Sequence, residues 1–251
     1  MESIVGDLTA GVKAQVDPAA DTETAIASFT APKDLTIVEL DIGYGNVVDA
    51  KAMTGYIEVK FNTGKVPFRF PVGFGCGGAT TTENKHSWKF PVSIPVKMNE
   101  EVTVYATMNE ACVGMFCGMK FVNGCAGLVT HGECNTAEDA AVTADTRENG
   151  TGTLTIPAGM SGRIKQILVA YANVVNAKAA SGYIEVTSNL GTMGQQFYAV
   201  GGGAGGATNA GGQCAPEIIE TDIPVKGGEK IQIYTYLAEA AVDCHIGVVW
   251  V

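Results

Sequence analysis

Apolar and polar residues alternate with a period of two along most of the chain, the mark of half-buried β-strands. Near the end of each half, Val113, Met115, Cys117, Met119 and Phe121 fall on one face, and Val242, Cys244, Ile246, Val248 and Trp250 on its counterpart. The preceding segments place Val102, Val104, Ala106 and Met108 together, matched by Ile231, Ile233, Thr235 and Leu237. In the segment Gly-Tyr-Ile-Glu-Val, residues Ile57, Val59 and Phe61 point one way while Tyr56, Glu58 and Lys60 point the other. Further strands are predicted over 25–30, 36–43, 66–70 and 89–95, separated by turn chemistry such as Asn62-Thr63-Gly64-Lys65 and Lys226-Gly227-Gly228-Glu229. One helix is predicted, a short one over 136–144 with Asn135 as its cap.

The chain repeats itself. The segment 46–59, NVVDAKAMTGYIEV, recurs over 173–186 as NVVNAKAASGYIEV, with 11 of 14 positions identical at an offset of 127. Val72-Gly73 and Gly77-Gly78-Ala79-Thr80 recur as Val200-Gly201 and Gly205-Gly206-Ala207-Thr208, and Ile94-Pro95-Val96-Lys97 as Ile223-Pro224-Val225-Lys226. Val242 to Val251 answers Val113 to Val122. A period this long exceeds a solenoid unit of about 20–50 residues and matches a small domain. The expected organisation is a first sandwich over 1–123, a connector over 124–147 and a second sandwich over 148–251. Seven or eight short strands per copy without intervening helices predict an all-β fold. It consists of two tandem homologous antiparallel β-sandwiches, with the jelly roll as the leading topology.

At this level the chain resembles the tandem (double) jelly-roll capsid and coat proteins of icosahedral viruses. Two sequential strand-rich units, a short linker and no enzyme motif carry the resemblance, which is architectural. It implies a structural subunit that assembles with copies of itself, as a trimer whose jelly rolls tile pseudo-hexagonally.

Composition narrows the classes. The chain is 46% hydrophobic and 17% charged, against a usual charged share of about 25%, which excludes intrinsic disorder. Sixteen Lys and Arg oppose 26 Asp and Glu, for a net charge of -10. Residues 1–123 carry 10 basic and 14 acidic groups, and 124–251 carry 6 and 12. Neither half offers the clustered cations that phosphate neutralisation needs, so direct nucleic-acid binding is not expected. The acidic start Met1-Glu2-Ser3 lacks a basic, then apolar, leader, and no uncharged stretch has the composition of a membrane helix. The expectation is synthesis without a signal peptide and residence in a virion or extracellular assembly. Asn149-Gly150-Thr151 matches a glycosylation acceptor, a tripeptide common by chance.

Candidate chemistry is sparse. Gly73-Phe74-Gly75-Cys76-Gly77-Gly78 and Gly201-Gly202-Gly203-Ala204-Gly205-Gly206 fit the dinucleotide fingerprint, but no helix follows either, so both read as inter-strand loops and no cofactor is expected. Cys112, Cys117, Cys125, His131 and Cys134 cluster in sequence without the paired spacing of a zinc knuckle. Cys117 belongs to a core face, leaving Cys125, His131 and Cys134 as candidate metal ligands and Cys125–Cys134 as a candidate disulfide. Cys76 and Cys214 fall in loops that could bridge subunits. The three histidines, His86, His131 and His245, form no recognisable catalytic pair, because alternation turns Cys244 and His245 to opposite faces. Glu58 and Glu185, equivalent and outward, read as a solvated face, and Asp49 and Asp222 are loop acids open to calcium.

Three non-catalytic classes follow, and an enzyme is the least favoured reading. A self-assembling shell or coat subunit leads, since a lightly charged surface suits extensive contacts. A filament or surface-layer subunit shares the composition. A tandem carbohydrate-binding module requires solvent-facing aromatics, for which Trp88, Tyr44 and Tyr171 are the expected supply once Trp250 is assigned to the core.

Overall fold

A computed structural model describes residues 17–43, 46–47, 53–74, 87–124, 127–135, 143–147, 153–174, 179–190, 196–204 and 217–251. Seventeen strands appear among them. The first sandwich holds β1 (Thr24–Thr30), β2 (Leu35–Gly43), β3 (Asn46–Val47), β4 (Met53–Phe61), β5 (Phe68–Phe74), β6 (Ser87–Val96), β7 (Glu101–Met108), β8 (Cys112–Val113) and β9 (Phe116–Asn123). The second holds β10 (His131–Cys134), β11 (Thr153–Thr155), β12 (Ser161–Val174), β13 (Ala179–Ser188), β14 (Gln196–Ala204), β15 (Glu217–Lys226), β16 (Lys230–Leu237) and β17 (Ala241–Trp250).

Strand order decides the topology. The second sandwich pairs its sheets as β10-β17-β12-β15 and β11-β16-β13-β14. Counted from the first of its eight strands, that is 1-8-3-6 against 2-7-4-5, the order of a jelly roll. The first sandwich repeats the latter sheet as β1-β7-β4-β5 and three strands of the former as β6-β2-β9. Residues before Asp17 lie outside the described residues. Both copies carry a bulge at the same place, between Ile37 and Glu39 in β2 and between Ile164 and Gln166 in β12. The cores are the faces read from alternation: Ile57, Val59, Val102, Val104, Met119 and Phe121 in one, and Ile184, Val186, Ile231, Ile233, Ile246 and Trp250 in the other.

Two repeated features have a direct physical cause. At Gly55 and Gly182, the glycines of the repeated Gly-Tyr-Ile-Glu-Val, a Cβ would run into the carbonyl oxygens of Thr107 and Tyr236 on the neighbouring strand. The turns before β7 and β16 are also built alike. The Lys97 N–H donates to buried Glu100 at 2.9 Å, and the Lys226 N–H to buried Glu229 at 2.7 Å, with positive φ at Asn99 and Gly228. Lys65 (2.6 Å) and the Thr63 hydroxyl complete the Glu100 site, and the Ser188 hydroxyl donates to Glu229. Burial alone would raise the Glu100 pKa, but the donors from Lys65, Thr63 and Lys97 outweigh it and hold the carboxyl below its ordinary value.

Several expectations change. The strand predicted over 66–70 is β5, Phe68–Phe74, because the turn runs on through Pro67. Within the predicted connector, His131–Cys134 forms β10 and pairs antiparallel with β17, His131 opposite Trp250. The helix predicted over 136–144 falls almost wholly on 136–142, outside the described residues.

The sandwiches pack sheet face on sheet face. Leu168 of β12 and Val249 of β17 point away from their own core and join the buried cluster of the first sandwich. Beside them His245 is 3% exposed, its ring 6.4 Å from that of Tyr56. A Cβ on Gly247 would lie 2.6 Å from Pro71 Cδ, and one on Gly132 would lie 2.9 Å from Phe68 Cε2 and collide with the Arg69 carbonyl. The outer face of β4 and β5 therefore rests on the outer face of β10, β17 and β12.

Candidate functional site

In the second sandwich, the sheet face equivalent to the covered face of β4 and β5 lies open. Alternation in β13 sends Ile184 and Val186 inward, so Tyr183 and Glu185 face out. Antiparallel pairing sets Tyr183 opposite Tyr236 and Ala199, and Glu185 opposite Tyr234 and Phe197. The Tyr183 and Tyr236 rings stack at 5.0 Å, and Phe197 meets Tyr183 edge-on at 5.8 Å. Phe197 is 58% exposed. Four aromatic side chains thus occupy one sheet face.

A guanidinium organises its centre. Arg147 arrives from the segment before β11 and donates to both carboxylate oxygens of Glu185, Nε at 2.5 Å and Nη2 at 2.7 Å. Its guanidinium also lies 3.6 Å from the centre of the Tyr234 ring, adding a cation–π contact to the bidentate pair. The hydrogen bond to Glu185 raises the Arg147 pKa further, so the cation persists throughout the accessible range. Tyr236 donates its hydroxyl to Asp145 at 3.0 Å, and accordingly its phenol loses its proton less readily.

Glu185 is only 2% exposed and Glu58 only 3%, which corrects the solvated face expected for this pair. Glu58 is held by Arg69 at 2.6 Å and Lys60 at 3.2 Å, with Arg69 reaching on to Glu133 at 3.5 Å. Each copy buries the same carboxylate against a different arginine. Strand register makes Tyr183 the equivalent of Tyr56, Tyr234 of Tyr105, Tyr236 of Thr107, Phe197 of Arg69 and Ala199 of Pro71. The open face has therefore gained two aromatic rings over its covered counterpart.

The other predicted residues are dispersed or undescribed. His131 stacks on Trp250 at 4.3 Å and lines an apolar cleft of about 200 Å³ with Phe61, Phe68, Ile94 and Met160. Burial lowers its pKa. Cys134 is a buried free thiol donating to the Asn135 carbonyl at 3.2 Å, and burial, helped by Glu133, pushes its pKa well up. Cys125, the third candidate ligand and the other half of the candidate disulfide, lies outside the described residues. No group of three His, Cys, Asp or Glu suited to a metal is found among the described residues. Asp222 is held by Arg163 at 2.6 Å and Lys165 at 2.5 Å. Gly73-Phe74 and Gly201–Ala204 end strands β5 and β14, while the remaining glycine-loop residues, Asp49, Cys76, His86, Cys214, Tyr44 and the Trp88 and Tyr171 side chains lie outside the described set. Among the described residues no helix is long and apolar enough to cross a membrane. The aromatic face itself was missed, although the alternation of β16 already placed Tyr234 and Tyr236 opposite Ile233 and Leu237.

No family model matches the chain, and no curated protein does. Among solved structures, the N-terminal CBM22-1-CBM22-2 tandem domain of Paenibacillus barcinonensis Xyn10C is similar at 12% identity. The match covers 94% of this chain and 86% of that one, with a TM-score of 0.24. That superposition is loose, and the jelly-roll assignment rests on strand order.

Proposed function

We propose that this chain is a non-catalytic structural subunit that assembles with copies of itself into a coat, in a virion or another extracellular assembly. The observation that carries the reading is the contact between the two sandwiches. One copy of the duplicated jelly roll already recognises the other, sheet face to sheet face, with Leu168 and Val249 buried in it and Gly132 and Gly247 leaving room for it. A duplicated unit that binds its duplicate has the elements of a repeating shell, and rings or open arrays follow from repeating such a contact. Trimeric closure fits the resemblance to tandem jelly-roll coat proteins. Light scattering with negative-stain microscopy on the purified chain tests it. Closed shells or flat tiles are expected, helical fibres would move the reading to a filament, and a monomer at every concentration would end it.

A second reading, a carbohydrate-binding module, is favoured by the open cluster of Tyr183, Phe197, Tyr234 and Tyr236. Aromatic faces flanked by charged groups can hold a sugar ring through stacking and hydrogen bonds. Affinity electrophoresis through gels containing soluble polysaccharides tests this reading. Retardation that Phe197→Ala abolishes would support it, and unretarded migration in every gel would remove it.

A further inference from the structure

We infer that the aromatic face of the second sandwich is the docking surface for a second copy of this chain, received by the outer face of β9 and β2 in that copy's first sandwich. The inference rests on the assembly reading and names its interface.

The covered interface within one chain is the template. There, the face bearing Tyr56 and Pro71 rests on the face bearing His245, Gly247, Val249 and Leu168. Duplication supplies the donor face a second time and, of the receiving face, the two strands equivalent to β17 and β12. The donor face recurs with Tyr183 and Ala199, and it is open, with Phe197 58% exposed. The receiving face recurs on β9 and β2, where alignment of 242–251 with 113–122 places Phe116 at His245, Gly118 at Gly247 and Lys120 at Val249. Register puts Asp41 at Leu168.

Repeating the contact between chains would bring Phe116 of one copy to Tyr183 of the next, as His245 meets Tyr56 within the chain. Gly118 would take Ala199 where Gly247 takes Pro71. Phe116 is 43% exposed, and with Phe197 it completes the set of phenylalanines exposed among the described residues. The two lie on the two faces that the template would join. Exposed aromatics of this kind are typical interface anchors. On the receiving face Lys120 is paired with Glu39, and on the donor face Arg147 with Glu185. The two faces differ, which makes the contact heterologous and propagating: it closes into a ring or continues as an array.

The experiment uses the full chain and three variants, Phe197→Glu on the donor face, Phe116→Glu on the receiving face, and Ala199→Arg as a second donor-face change at an exposed position. Sedimentation velocity across a concentration series reads the mass, and circular dichroism confirms that each variant retains its β spectrum. Wild type is expected to assemble. Each variant should require at least about tenfold higher concentration to do so, the usual effect of losing an interface anchor. Mixing Phe197→Glu with Phe116→Glu should restore one contact and give a 1:1 dimer that grows no further. If the folded variants assemble like wild type, or the mixture gives no dimer, this interface is wrong while self-assembly stands. A wild type that stays monomeric at all concentrations overturns the assembly reading and this one together. Phe197→Glu that loses polysaccharide retardation without any change in mass assigns the face to a glycan instead.

Discussion

Adding one methyl group at Gly132 or Gly247 should loosen the contact between the sandwiches. Each glycine sits where the outer face of β5 lies against β10 and β17. On Gly247 the new carbon would lie 2.6 Å from Pro71 Cδ and 3.0 Å from the Glu133 carbonyl oxygen. On Gly132 it would meet the Arg69 carbonyl, which cannot yield as a side chain end can, and Phe68 Cε2 at 2.9 Å. Overpacking of this kind costs about 1–3 kcal/mol per site. With a urea slope of about 1–3 kcal/mol per molar, the midpoint should fall by roughly 1 M. Tryptophan fluorescence follows the unfolding, and Trp250, 2% exposed and stacked on His131 of β10, lies in the affected region. Gly43→Ala is the control, because a Cβ there meets nothing within 4 Å and φ is not positive, and its effect should stay within about 0.5 kcal/mol. Midpoints for Gly132→Ala and Gly247→Ala that match Gly43→Ala would refute the close face-to-face packing, and with it the template for contacts between chains.

The other expectations are as follows. Gly55→Ala and Gly182→Ala should each lower the melting temperature of the sandwich they occupy, since each Cβ meets a neighbouring strand's carbonyl, and differential scanning calorimetry should show two comparable losses of about 2–3 kcal/mol. Glu100 has its pKa held below 4.5, so its stabilisation is present above that pH and lost as pH falls through the depressed value. Glu100→Gln should therefore unfold more easily at pH 7 and show a flatter decline in urea midpoint below pH 4.5. Burial lowers the His131 pKa from 6.5, so the unfolded chain takes up the proton first and stability falls as pH drops through 6.5. His131→Phe, which keeps a ring over Trp250, should weaken that fall in urea midpoints measured between pH 7.5 and 5.

Local pattern carried much of the fold. Alternation placed Ile57, Val59, Ile231 and Ile233 in cores because one face of an antiparallel strand must leave water. It failed where burial comes from outside the alternating strand itself. Glu58 and Glu185 do point outward, but Arg69 and Arg147, 11 and 38 residues away, cover them with charge. Likewise His245 and Val249 point away from their own core into the first sandwich. The strand His131–Cys134 has no apolar alternation and exists through pairing with β17. For the aromatic face, the outward orientation was legible. Which of the two equivalent faces is covered was not, because that depends on how the sandwiches meet.

Divergence between the copies now becomes interpretable. The receiving face inside the chain carries Leu168 and Val249, whereas its equivalent in the first sandwich carries Asp41 and Lys120. A contact formed once, during folding, can be dry and apolar. A contact that must form between soluble subunits keeps charge until it closes, because an apolar patch of that size exposed on a free subunit invites indiscriminate association. Asp41→Leu with Lys120→Val should convert the second kind of face into the first. Light scattering should then show assembly at a lower concentration than for wild type, by about tenfold or more, since charged groups of a receiving face oppose desolvation. Adding Phe197→Glu separates specific docking from general stickiness. If the aromatic face is the true partner, the triple variant loses the gain. Enhanced association that survives Phe197→Glu would mean that the apolar patch is merely sticky, and the pairing of these two faces would have to be abandoned.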